Sequence, residues 1–266
     1  MRIAEVHDPD AVKGIVPIIK SAWGFENLDG LIKDIVVAMK FHGGVVIGAY
    51  DEDKLIGMSF GFPGRRKNYD YFYSHMTGVL EERKYSGIGY QLKMYQKAWA
   101  KRQGYNMIAW TYDPLMALNA RFNIHKIGAF ARTYLRNFYG QMDDKINVGM
   151  RTDRFVAELW LDYQRPEIED NGITALDRTG IVSEDMQRIA REESTVRVHI
   201  PGNFKAIRNN SMEEAMRWRE SSDKVMKFLF SHGFVAVDFK SGTDNFYLFT
   251  RDTFLNGMMK ENVFQP

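Results

Sequence analysis

From Tyr71 to Val79 the chain is dense in aromatic and β-branched residues, and alternation puts Tyr71, Tyr73, His75, Thr77 and Val79 on one face of a strand. The period then changes. Ile88, Leu92, Tyr95 and Trp99 fall at helical spacing, and Gly104 ends the run. Upstream, Arg2 to His7 reads as a short strand. Asp8-Pro9 opens a helix to Trp23 that Gly14 and Pro17 shorten or kink, and Leu28 to Phe41 forms a second helix closed by Gly43-Gly44. GGVVIGAY and KLIGMSFGF, parted by Asp51-Glu52-Asp53, make a hairpin, and Pro63 to Asn68 reads as a polar loop.

Downstream, Tyr105 to Thr111 is a strand. Asp113-Pro114 opens a helix whose apolar stripe is Leu115, Leu118 and Phe122, with Gly128 as the stop. Ala129 to Phe138 and Arg154 to Leu161 read as strands, and RPEIEDNG at 165–172 reads as a linker. Beyond it come a strand at Thr195 to Ile200, a long helix from Ser211 to His232, and a strand pair at Gly233 to Phe239 and Asn245 to Thr250.

The junction between the central strand and its helix carries the chemistry. Lys84-Tyr85-Ser86-Gly87-Ile88-Gly89 lies where the helix begins, and the first N–H groups of a helix have no partner inside it. Those donors and the positive end of the helix dipole favour an anion. Gly87 and Gly89 hold nothing in front of them, and Lys84 adds positive charge, so a diphosphate suits the turn. Two other phosphate motifs fail. A dinucleotide fingerprint wants a third glycine at Leu92, and a P-loop wants Gly-Lys-Ser/Thr where this chain has Gly-Tyr-Gln.

Strand, basic glycine turn and amphipathic helix together resemble motif A of the GCN5-related N-acetyltransferases, the GNAT superfamily, whose (Gln/Arg)-x-x-Gly-x-(Gly/Ala) clamps the pyrophosphate of acetyl-CoA. Lys84 stands where that motif has Gln or Arg. The order of elements over the first 164 residues is similar to that of the superfamily. The resemblance implies an α+β fold with a mixed, mostly antiparallel twisted sheet flanked by helices. Residues 1–164 would be the acyl-CoA-binding domain, and residues 165–266 a C-terminal α/β extension or a degenerate second lobe.

It further implies that the motif strand and the next strand splay apart around the pantetheine arm of acetyl-CoA. Val79 then lies against the pantetheine, Lys84, Tyr85, Ser86, Gly87, Ile88 and Gly89 surround the pyrophosphate, and Asn119 contacts the cofactor near its thiol, with a solvent-facing helix residue as the alternative. Acyl transfer to an amine needs a proton acceptor, since ordinary alkylamines are protonated near neutral pH. His75, on the face of Val79, is the candidate base, against a buried histidine bonded to a neighbouring strand. Tyr73 and Tyr134 are candidate substrate contacts. The tyrosine acid usual in the superfamily is missing before Lys126-Ile127-Gly128-Ala129, which leaves water, Tyr134 or Tyr139 to protonate the thiolate.

Composition narrows this further. The chain has 266 residues, a formal charge of +2 and no cysteine, which excludes disulfides, thiolate metal sites and a cysteine acyl-enzyme. His7, His42, His199 and His232 show no metal-ligand spacing, so no metal is expected. The charge is too small to imply nucleic acid, and Arg65-Arg66-Lys67 reads as a solvated loop. No apolar run reaches the ~18 residues of a membrane span and no signal-peptide pattern opens the chain, so a cytoplasmic location without membrane contact is expected. The expected activity is transfer from acetyl-CoA directly to a small-molecule amine. A CoA-binding module without catalysis and an aminoacyl-tRNA-dependent transferase are the alternatives. Monomer and homodimer both stay open.

Overall fold

The computed structural model describes residues 1–24, 31–84, 86–142, 149–163, 168–255 and 261–265. The chain forms two compact units, one built from Met1–Trp110 with Trp160–Asp162, the other from Thr111–Met142, Gly149–Leu159 and Tyr163–Pro266. In class it is α+β, with mostly antiparallel strands flanked by helices.

In the first unit β1 (Arg2–Glu5) is followed by a 3-10 turn at Ala11–Gly14 and α1 (Ile15–Trp23). Gly14 is the joint between turn and helix, and Pro17 falls in the first turn of α1, where a missing N–H costs nothing. Asp8 does not cap the helix; its carboxylate accepts the N–H of Asp10 at 2.9 Å. Then come α2 (Leu31–Phe41), β2 (Val45–Asp51), β3 (Lys54–Arg66), β4 (Tyr69–Val79), α3 (Ile88–Arg102) and β5 (Met107–Tyr112). Residues 28–30 of the expected second helix lie outside the described residues.

The expected loop at 63–68 is instead strand and tight turn. β3 runs to Arg66, and Lys67 (φ 46°) and Asn68 (φ 60°) turn it into β4 with two consecutive left-handed residues. Pro63 pairs with Phe72 of β4. Its missing N–H breaks no ladder on the other side, because the pairing of β2 with β3 ends at Val45 and Gly61. β1 to β4 are antiparallel in that order, and β5 adds in parallel to β4 through Phe72↔Ile108 and Tyr73↔Ala109.

The strict alternation expected along β4 fails at one residue. Phe60 pairs with Met76 and Gly61 with Ser74, so His75 is an extra residue, a β-bulge. After it the faces exchange. Phe72 packs on Trp99 of α3, Ser74 bonds Lys93 of α3, and Thr77 bonds Ser59, which Gln96 of α3 also reaches. Val79 sits opposite Gly57, on which Ile88 and Leu92 of α3 lie. Tyr73 and His75 stack with Phe62 on the other face, where Phe60, Met58, Ile15, Ile18, Ile19 and Val36 form a core and Trp23 meets Gly78. Thr77 and Val79 therefore do not share a face with Tyr73 and His75.

In the second unit Asp113-Pro114 leads into α4 (Ala117–Ala120), which continues as a π-helical turn at Arg121–Lys126 and ends at left-handed Gly128. Leu115 is buried, but Leu118, expected beside it, is 61% exposed, because the wider π turn changes which positions face inward. The strands β6 (Phe130–Leu135) and β7 (Arg154–Trp160) pair antiparallel. Next come β8 (Ile173–Leu176), α5 (Met186–Glu192), β9 (Thr195–His199), α6 (Phe204–Asn210), α7 (Met212–Ser231), β10 (Phe234–Lys240) and β11 (Phe246–Arg251). β8, α5 and α6 are additions to the sequence reading. The strand order β7-β6-β10-β11-β9-β8 carries α7 through Ala215, Trp218, Val225, Met226 and Leu229. No described helix is long and apolar enough to cross a membrane.

The bulge depends on a glycine. A Cβ on Gly61 would stand 2.4 Å from the Phe72 ring and 2.6 Å from the Tyr73 carbonyl. Gly61→Ala is expected to destabilise the protein by ~1–3 kcal/mol, read as an earlier midpoint in urea. Gly242→Ala, in open space, is expected to stay within about 0.5 kcal/mol; equal midpoints for the two variants would contradict the close contact.

Candidate functional site

Gly87 opens α3 in the left-handed conformation (φ 82°, ψ −2°), and nothing lies within 4 Å of where its Cβ would be. No side chain caps the helix. By contrast α6 and α7 are capped by Asn203, accepting from Ala206 N at 3.0 Å, and by Ser211, accepting from Glu214 N at 3.1 Å. A helix of 15 residues thus starts without a side-chain cap among the described residues, beside the end of β4.

Around that start, Ser86 is exposed and its hydroxyl donates to the Arg83 carbonyl at 2.5 Å. Lys84 is exposed and paired with Glu81, and Arg83 is paired with Asp51 at 2.5 Å, so part of the positive charge is already met by carboxylates. Ile88 is buried against Gly57 and offers a ligand only backbone. Gly89 lies in the first turn of α3, and Val79 is half-buried on the α3 face of β4. Tyr85 lies outside the described residues.

His75 faces solvent on one side and rings on the other. Phe60, Phe62 and Tyr73 have centroids 6.2, 5.9 and 6.0 Å from its own. Loss of hydration on the ring side lowers its pKa, which favours the neutral imidazole near pH 7. Tyr73 is half-buried in this aromatic group, 5.4 Å from Phe62.

α3 buries a different set of residues from the expected stripe. Tyr95 is only half-buried, while Lys93 and Gln96 join Ile88, Leu92 and Trp99 on the buried face. Ser59 Oγ meets Thr77 Oγ1 at 2.9 Å and receives Gln96 Nε2 at 3.0 Å, while Gln96 Oε1 has no partner. Lys93 Nζ donates to Ser74 Oγ at 2.7 Å and lies 3.9 Å from the centre of the Trp110 ring. Burial brings the Lys93 pKa down to about 7. The helical period from Ile88 through Leu92 to Trp99 passes through position 96, the signal that could have found Gln96, whereas Lys93 stands about 100° round the helix from Leu92 and carries no such signal.

In the second unit Asn119 is exposed on α4. Tyr134 is buried and donates to Asp153 at 2.6 Å. Burial and then the Asp153 charge push its pKa up, so this hydroxyl is a poor proton donor and is not open to a substrate. Burial would raise Asp153 too, but Arg151 and Tyr134 hold it below the usual carboxylate range. Asp113 accepts from Leu115 N at 2.9 Å and from Arg219 at 2.7 and 2.6 Å in a buried bidentate pair, a structural employment. A cavity of 110 Å³ beside Arg151 and Arg219 is far below the size of a cofactor site. Tyr139 is 40% exposed, its hydroxyl 3.1 Å from Thr111 Oγ1. No group of His, Asp and Glu among the described residues could hold a metal ion.

No family model matches this sequence, and no curated protein matches it. Solved structures that it resembles include acetyltransferases, among them members of the GNAT family. An aminoglycoside 6'-N-acetyltransferase complexed with coenzyme A shares 16% identity over 63% of this chain and 100% of its own, with a TM-score of 0.47. A GNAT family acetyltransferase from Elizabethkingia anophelis with acetyl-CoA bound shares 16% over 60% and 97%, at 0.45. The IAA acetyltransferase from Bacillus cereus shares 15% over 60% and 98%, at 0.47.

Lys93 makes stability depend on pH with a definite sign. Its folded pKa of about 7 is below the unfolded value of 10.5, so between those limits the unfolded chain binds the extra proton and stability contributed through Lys93 rises with pH. Lys93→Met is expected to be more stable than wild type at and below pH 7, with the gap closing towards pH 10.5. Melting temperatures of the two proteins across that range check this, and a gap that does not change with pH would contradict the burial of a titrating amine.

Proposed function

We propose that this protein is an acyl-CoA-dependent N-acyltransferase, with acetyl-CoA as donor and a small-molecule amine as acceptor. The observation that carries the reading is the uncapped start of α3 at left-handed Gly87, next to β4, whose pairing with β5 stops at Tyr73 and Ala109. Backbone donors at Gly87 to Gly89 meet the diphosphate, and the thioester arm runs along β4 past Val79 into the opening between the strands.

His75 takes the base role. A neutral imidazole accepts the proton of the acceptor amine, directly or through water, as nitrogen attacks the thioester carbonyl. The C–N bond forms, the C–S bond breaks, and the thiolate of CoA leaves and is protonated by water. With no cysteine in the chain, transfer goes directly from donor to acceptor. The engagement of Tyr134 with Asp153 favours one second reading, a CoA-binding module without turnover, because it removes a candidate acid.

Calorimetry with coenzyme A is expected to show saturable binding that Gly87→Val weakens at least about tenfold, since a β-branched residue at φ 82° is strained. Wild type that binds no coenzyme A would overturn the proposal. With acetyl-CoA and a panel of primary amines, free-thiol release is expected to fall about 100-fold in His75→Ala. In wild type it should fall as pH drops below the ordinary histidine range, because the pKa of His75 is lowered and its base form persists until then. Binding without thiol release from any amine would select the module.

A further inference from the structure

Three side chains meet where β4 and β5 part. Tyr73 and Ala109 are the last paired residues, and Ser74 and Trp110 are the next residue on each strand. Lys93, 4% exposed on α3, donates to Ser74 Oγ at 2.7 Å and places its amine 3.9 Å from the centre of the Trp110 ring. One side chain therefore touches both arms at the apex of the opening. The contacts differ in kind. The hydroxyl fixes a point on β4, and the indole face on β5 takes an N–H of the amine.

Stability does not explain a lysine here. A methionine of similar reach would fill the same space without an amine to desolvate, and burial of such an amine is costly when no counter-charge accompanies it. Among the described residues the groups around it supply none. On β4, Tyr73 and His75 lie on the opposite face with Phe62. On β3 the charged residues Lys54, Arg65 and Arg66 are at the two ends, and β5 carries no ionisable side chain from Met107 to Trp110. On α3 the other lysines are Lys97, half-buried, and Lys101, exposed and paired with Asp162. Burial is the cause of the lowered Lys93 pKa.

We propose that Lys93 is a positioning residue that bridges Ser74 and Trp110 and so sets the separation of β4 and β5 at which the acyl-bearing arm of the thioester fits. This rests on the acyl-CoA reading above. A neutral amine keeps the apex dry, whereas an ammonium draws water towards it and loosens the bridge.

The test uses the whole chain and two ligands: acetyl-CoA, and adenosine 3′-phosphate 5′-diphosphate, which has the same phosphates and no pantetheine arm. Both are titrated by calorimetry at about pH 6 and about pH 8.5, either side of the lysine's titration. Lys93→Met is expected to weaken acetyl-CoA about tenfold and to leave the nucleotide within about threefold. In wild type acetyl-CoA should bind less tightly at the lower pH relative to the nucleotide, and the variant should lose that difference. Ser74→Ala, which removes the partner and keeps the lysine, should shift acetyl-CoA in the same direction, and it carries the test if Lys93→Met does not fold. Acetyl-CoA affinities of the variants within about threefold of wild type, or an equal loss for both ligands, would overturn the positioning role. Wild type that binds neither ligand would overturn the acyl-CoA reading itself, and this inference with it.

Discussion

The close approach of α3 to β3 at Gly57 governs the geometry of the first unit. A Cβ there would stand 3.0 Å from Ile88 Cγ2 and 3.3 Å from Leu92 Cδ1, so the missing side chain lets the first turns of the helix lie directly on the sheet. That contact decides where the helix starts. It brings Gly87 beside the end of β4, because Gly57 is the Cα partner of Val79. It also draws the rest of the buried face of α3 inward, which puts Lys93 over the sheet at Ser74 and Gln96 over Ser59. The place of the helix start and the depth of the buried amine both follow from this tight packing contact.

Much of this was legible in the residues. The glycine turn and its helix announce themselves, since a left-handed residue and an uncovered helix start both call for glycine, and Gly87 sits where the structure needs φ 82°. Tyr134, with no local sign of burial, could not be separated from Tyr139 until Asp153 was found beneath it, because that partner is 19 residues away. The hairpin turn at Lys67-Asn68 was hidden by Pro63, a residue that breaks central strands but is tolerated where the neighbouring strand has ended. Lys93 was hidden by its chemistry. A lysine in a helix reads as solvated, and its position about 100° round the helix from Leu92 puts it off the apolar stripe.

The bulge at His75 is the clearest case of a feature that no local pattern discloses. Period-two reasoning holds only while both strands advance together, and a single extra residue reverses every later face. Here the extra residue is tolerated because its neighbour in the register, Gly61, has no side chain to collide with Phe72. Without it, Thr77 and Val79 would lie with Tyr73 in the core that Phe60 and Met58 build, and Ser59 would lose its partner for Gln96.

Ordinary alternation at Ser74 and His75 puts two ionisable groups on opposite faces of this strand. Ser74 turns towards α3 and receives Lys93, while His75 turns away and enters the ring cluster of Phe60, Phe62 and Tyr73. Both groups lose hydration, and for a base the loss favours the neutral form, so the same physical cause lowers the pKa of each. Their surroundings then separate what they can do. His75 keeps a solvent-facing side and can exchange a proton with an incoming amine, which suits a base. Lys93 is closed in, held by one hydroxyl and one aromatic face, and can act on chemistry only through the strands it touches. In the proposed reading, proton transfer and spacing belong to side chains on opposite faces of β4.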